Sequence, residues 1–232
     1  MRKALSIALL GLFAAAPVAQ AGSWGATIDF VSDYRFRGVS QTLGDPALQI
    51  GATYAFDNGI YLGTWASNVD FVDGDGANTE VDLFVGYNRD LSEDFNADLQ
   101  YIRFVYPGTA SGFDYDFYEV VGALSWKGML TGKIVYTDDV VASGTTAWYY
   151  QLGANHTVFE DYTISAGIGY YDLDELFSGS YTDYSVGVKK AFGPLSVGLA
   201  WVTTNGNLDE IYGPHDGSKF VFSIGTAFPY GE

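Results

Sequence analysis

The residues in this sequence that could do chemistry are charges set at every second position. Asp29, Asp33, Glu80, Asp82, Asp98, Glu119 and Asp183 each fall on the polar parity of a segment whose other parity is aliphatic or aromatic. The bases Arg35, Arg37, Lys133, Lys189 and Lys219 fall on that same parity. Strand side chains alternate between two faces, so such a set lines one surface of a sheet. If that surface is the inside of a closed ring, the low-dielectric wall focuses its charge on an aqueous lumen. The chemistry this implies is selection of solutes by charge and width, without bond making. The acids outnumber the bases, which favours cations, and Arg35 and Arg37 are expected to face acids near the outer mouth. The alternative is that these charges pair with one another and fill the interior, which leaves a blocked barrel that serves structure or surface interaction.

Catalysis has little to draw on. There is no Cys, so an enzyme would have to use His156 or His215. His156 has the apolar parity beside a short turn, His215 lies in a long polar stretch, and neither comes with a recognisable nucleophile motif. No cofactor is expected, since no Gly-rich phosphate loop or metal-ligand cluster occurs. Asp73-Gly-Asp75-Gly-Ala-Asn78 has part of a calcium-loop pattern but not its full spacing, and reads as a glycine-rich turn. The further acids Asp138, Asp139, Asp172, Asp174, Glu175, Asp209, Glu210 and Asp216 are expected to solvate loops, though they could recruit divalent cations at a surface. A formal charge of −17 argues against a nucleic-acid partner.

The elements that must position these residues are strands. Residues 1–21 have a basic head, Arg2-Lys3, an apolar run from Ala4 to Ala16 and an A-x-A site at Ala19-Gln20-Ala21. That is the form of a secretory signal peptide, and the run is too short to span as a helix. Residues 22–232 then form one domain. Alternating segments occur at 24–36, 47–56, 60–71, 79–89, 95–106, 115–126, 129–137, 146–157, 162–171, 181–191, 195–204 and 219–228. The face assignment of 60–71 is ambiguous, and the pattern of 95–106 breaks at Arg103, which suggests a bulge or the membrane rim. After the first segment the connections alternate long and short to the end. An even strand number, long loops on one side and tight turns on the other predict an all-β, transmembrane, antiparallel up-and-down barrel of about twelve strands.

With Tyr 18, Phe 16, Trp 5 and Gly 29, the composition suits twisted strands ringed by aromatics. The last segment sets Phe220, Phe222, Ile224, Thr226 and Phe228 on one face, and its length of about ten residues is what a tilted strand needs to cross a bilayer. It resembles the C-terminal sorting signal of outer-membrane barrels, with Pro229-Tyr230-Gly231-Glu232 added after the usual terminal Phe. A soluble sandwich would not require the alternation of loop lengths, while a soluble periplasmic binding barrel is a rival that membrane fractionation and heat-modifiable gel migration distinguish. The expected location is therefore the outer membrane, reached through the periplasm, with lipid and small polar solutes or cations as partners. An oligomer is possible by analogy with larger porins, but no feature of the sequence indicates one.

Three motifs carry a family resemblance: residues 32–42, Ser-Asp-Tyr-Arg-Phe-Arg-Gly-Val-Ser-Gln-Thr; Asp45-Pro46-Ala47-Leu48-Gln49; and residues 59–70, Gly-Ile-Tyr-Leu-Gly-Thr-Trp-Ala-Ser-Asn-Val-Asp. The chain resembles the TorF family of porins, Gcw_chp-type outer-membrane proteins, over the whole segment after residue 21. The resemblance implies an outer-membrane barrel and, by name, a pore. It supplies no catalytic or binding residues.

Overall fold

Period-two patterning leaves each strand with one apolar face, and a ring lets every strand pair on both edges. The computed structural model describes residues 22–71, 74–159, 161–173, 179–206 and 217–230. The expected signal peptide, Asp73, Asp174, Glu175, Asp209, Glu210, His215 and Asp216 lie outside the described residues. The strands are β1 (Ser23–Val31), β2 (Arg35–Phe36), β3 (Val39–Ser40), β4 (Ala47–Ala55), β5 (Ile60–Asn68), β6 (Thr79–Asp90), β7 (Phe95–Val105), β8 (Phe117–Trp126), β9 (Leu130–Thr137), β10 (Ala147–Val158), β11 (Tyr162–Asp172), β12 (Tyr181–Phe192), β13 (Leu195–Thr204) and β14 (Lys219–Tyr230). All except β2 and β3 form a closed antiparallel barrel of twelve strands in chain order. The ring closes where β1 meets β14, from Trp24 opposite Tyr230 to Val31 opposite Ser223.

The apolar parity points outward. Leu48, Ile50, Leu83, Leu99, Ile134, Leu152, Val186 and Phe220 are each half-exposed or more. A continuous band of this kind would be an aggregation surface in water, and hydrocarbon is the solvent it suits. Aromatic clusters mark its two edges. Trp24, Tyr54 and Phe56 cluster near the short turns, with ring centroids 4.9 and 4.8 Å apart. Tyr136, Trp148 and Tyr150 do so near the long connections, at 4.7 and 6.2 Å.

Three expectations are settled or revised. In β5, Tyr61 and Trp65 face inward, while Ile60 and Leu62 are exposed. There is no bulge at Arg103: the register of β7 runs unbroken through Leu83↔Arg103 on one side and Arg103↔Tyr118 on the other. Arg103 lies at the rim, 3.6 Å from Asp116, and the apparent break arises because Ile102 and Phe104 point inward as an apolar pair. The largest revision is in the first segment. The strand expected over 24–36 stops at Val31, and Arg35 and Arg37 do not continue its inner face. Residues 32–46 turn into the barrel instead.

Candidate functional site

The inward segment is a miniature hairpin. β2 and β3 pair as Arg35↔Ser40 and Phe36↔Val39, joined by the two residues Arg37 and Gly38. Both have positive φ, 50° and 85°, as a tight hairpin turn with the strands' own twist demands. Gly38 is required on two counts: the φ is left-handed, and a Cβ would lie 2.5 Å from Thr204 Cγ2 and 3.0 Å from Asp183 Cβ on the wall. A second turn at Leu43-Gly44, also at positive φ, returns the chain to β4. Tyr34, Arg35, Arg37, Val39, Ser40 and Thr42 are all buried. The hairpin is thus a plug across the half of the lumen nearest the long connections.

Its polar groups are satisfied by the plug and the wall together. Arg35 Nε donates to Asp33 Oδ2 at 2.7 Å, and its Nη1 donates to the Gly38 and Gly217 carbonyls at 2.8 and 2.9 Å. Ser40 donates to Asp33 Oδ1 at 2.5 Å. The Tyr34 hydroxyl donates to Glu80 Oε1 at 2.8 Å and the Tyr106 hydroxyl to Glu80 Oε2 at 3.1 Å. Burial, and then the Glu80 carboxylate, push the Tyr34 hydroxyl well above its ordinary pKa, so it remains a neutral donor. At the hairpin tip, Arg37 Nη2 donates to both oxygens of Glu119, at 2.7 and 2.8 Å. The guanidinium also lies over the rings of Phe36, Tyr149 and Tyr171, at 4.5, 4.4 and 4.3 Å from their centroids. Burial is the largest single influence and opposes its charge, but Glu119, Tyr171 and Tyr149 together outweigh it, and Arg37 holds its proton beyond the ordinary arginine range.

The sequence-derived residues divide between plug, cavity and wall. Arg37 meets Glu119, and Arg35 meets Asp33. Asp183 accepts from the Tyr149 hydroxyl at 3.0 Å. Asp29, Lys133 and Lys189 line a cavity of about 240 Å³ beside the hairpin, together with Gln49, Gln100 and Gln151. Neither lysine makes an ion pair among the described residues. Asp98 sits nearer the short turns, accepting from Tyr61 at 2.9 Å and from Asn88 at 3.0 Å. Glu80 and Asp82 lie apart from the cavity. Asp82 is fully buried opposite Trp65 and Phe104, with no hydrogen-bond partner for either oxygen among the described residues. His156 is exposed on the outer face. Asp75 is buried as a loop anchor, accepting from the Ala77 amide and the Tyr115 hydroxyl. Among the described residues no group of three or more acidic or histidine side chains is arranged to hold a metal ion.

Residues that the charge pattern did not reveal are the inward aromatics: Tyr34, Phe36, Trp65, Tyr149 and Tyr171. The lumen is therefore less hydrophilic than parity alone implies, because Phe104, Phe117, Val121 and Val135 also face it. A signal for two of them was present in the pairs Tyr149-Tyr150 and Tyr170-Tyr171. Adjacent residues in a strand cannot both face lipid.

Among solved structures, the chain is similar to a KdgM porin, with 9% identity and a TM-score of 0.54 over 90% of this chain and 99% of that one. It is also similar to the NanC porin, with 12% identity and a TM-score of 0.56 over 90% of this chain and 100% of that one. At these identities the likeness is one of fold. No curated protein matches the chain. Residues 15–228 match the model of a family described as a bacterial protein of unknown function (Gcw_chp), and the chain belongs to that family.

Proposed function

We propose that this protein is an outer-membrane, porin-like channel that passes small polar solutes by diffusion and prefers cations. Residues 1–21 act as the export signal and are removed in the periplasm. The long connections then face outside and the short turns face the periplasm. The observation that carries this reading is the closed barrel, oily outside, whose interior holds a charged and amide-lined cavity of about 240 Å³. Cation preference rests on the acids left unpaired by arginine along the lumen, Asp29 and Asp183 at the cavity and Asp98 nearer the short turns, against Lys133 and Lys189. The fold likeness to KdgM and NanC and the resemblance to the TorF porins agree with it; one KdgM porin structure is a complex with disordered oligogalacturonate.

The second reading, a barrel with a blocked lumen, is favoured by one observation: the hairpin at residues 35–40 lies across the interior and is buried there. Under the channel reading this hairpin is the constriction. Planar-bilayer recording of the purified, folded barrel decides between them. Discrete conductance steps with a reversal potential on the cation side are expected in a salt gradient. Silence from folded protein would leave the blocked barrel standing, and anion preference would remove the charge argument.

A further inference from the structure

The cage around the Arg37 guanidinium is built almost wholly by the barrel wall. Glu119 comes from β8, Tyr149 from β10 and Tyr171 from β11; Phe36 alone belongs to the hairpin. The wall holds its part of the cage independently of Arg37. The Tyr149 hydroxyl is fixed by Asp183, and the absence of a side chain at Gly169 makes room for that hydroxyl. If the hairpin tip swings away, the wall keeps a carboxylate facing two aromatic rings at the cavity. A carboxylate in that setting demands a cation, and aromatic faces favour a flat, delocalised, weakly hydrated one. That description fits guanidinium better than ammonium, which is a compact point charge. Both Glu119 oxygens are already engaged by one guanidinium nitrogen, with the carbon centred within 4.5 Å of three rings.

We propose that this wall pocket is a binding site for solutes bearing a guanidinium group, and that Arg37 occupies it as a tethered copy of that ligand. The inference deepens the channel reading, on which it rests for the route by which a solute arrives. The adjoining cavity, with Gln100, Gln151 and Asp29 on its walls, accepts the remainder of such a solute. Tethering gives Arg37 an effective concentration on the order of millimolar. Free solutes therefore compete at millimolar levels, a weak binding that permits release on the far side.

The test uses the full barrel with Arg37→Gly, which empties the cage and keeps the turn. Methylguanidinium, methylammonium and N-methylurea are compared at equal millimolar concentration and constant ionic strength. In thermal unfolding, methylguanidinium is expected to raise the midpoint of the variant, methylammonium several-fold less and N-methylurea not at all. The effect should vanish in Arg37→Gly/Glu119→Gln and be several-fold smaller in the wild type, where the solute must displace Arg37. No shift, equal shifts from the two cations, or a shift that survives Glu119→Gln would overturn the proposal. Arg37→Gln, neutral and closer in volume, serves the same comparison if the glycine variant does not fold. In bilayers, methylguanidinium should block the potassium current of the variant. Absence of current from every variant would sink the channel reading, and the unfolding measurement would still decide the site.

Discussion

If the hairpin is the constriction, removing the Arg37 side chain should open it. Arg37→Gly isolates the side chain, because Gly adopts positive φ freely and the two-residue turn is kept. The loss strands Glu119, which is 1% exposed. Removing one partner of a buried pair costs about 3–5 kcal/mol. Against this stands the strain that a non-glycine residue carries at φ 50°, about 1–2 kcal/mol, which the variant releases. The docked hairpin should therefore lose about 1–4 kcal/mol net. At 1.4 kcal/mol per factor of ten, its docked-to-undocked ratio falls about five-fold to several-hundred-fold. Two measurements read this. Single-channel recording should show larger or more frequent open levels in the variant. The chain also has no Cys, so a single Val39→Cys, at a site 2% exposed in the plug, reports docking by its reaction with a membrane-impermeant thiol reagent. Labelling should accelerate by the same factor in the Arg37→Gly background. Unchanged conductance together with unchanged labelling would show that the ion pair and its cage do not hold the plug, and the latch would have to be sought in the Tyr34–Glu80 contact instead.

Two carboxylates of the same wall should respond with opposite sign. Glu119→Gln leaves the Arg37 charge buried and should lower the unfolding midpoint by the equivalent of about 3–5 kcal/mol, whereas Asp82→Asn removes an unpartnered buried acid and should leave the midpoint unchanged or raise it. Gly38→Val forces a side chain into Thr204 and Asp183 at a left-handed φ, so the barrel should form, as judged by heat-modifiable gel migration, with its plug displaced and its conductance raised. Tyr34→Phe leaves Glu80 Oε1 without that donor and should cost about 1–3 kcal/mol in urea unfolding of the barrel. Asp29→Asn combined with Asp183→Asn should move the reversal potential toward the anion side, and an unchanged potential would remove these two acids from the selectivity path.

The barrel was legible because each of its twelve strands repeats one rule. The lipid-facing parity of β4, β6, β10 or β14 can be read from any one of them, and the alternation of long and short connections fixes how they are joined. The first connection escaped because the same rule is satisfied in two ways. Asp33, Arg35 and Arg37 keep the polar parity of β1, yet they lie beyond its end at Val31. Period-two spacing survives in a hairpin arm as well as in a longer strand, and only the backbone at the tip separates the two. The usual markers of such a tip are Asn-Gly or Asp-Gly, and here the residue before Gly38 is an arginine held at positive φ. Intrinsic preference would not choose it there; Glu119 and the Tyr149 and Tyr171 rings do, and these come from strands more than 80 residues away in the chain.

The same long-range dependence explains why charge counting went only part of the way. Acids and bases on the inner parity were legible one by one, but whether they meet is set by the shear of the ring and by where the hairpin lands. Arg37 neutralises Glu119, while Lys133 and Lys189 make no ion pair among the described residues and line the cavity instead. The inward aromatics have the further effect of lowering the local dielectric around Arg37, which strengthens its pair and raises the cost of leaving either partner alone. A lumen lined only by polar groups would hold a loosely solvated loop. Rings from β10 and β11, together with Glu119 from β8, make the hairpin a seated plug, so the residues that decide whether this barrel conducts are tyrosines and one glutamate on the wall as much as the arginine at its tip.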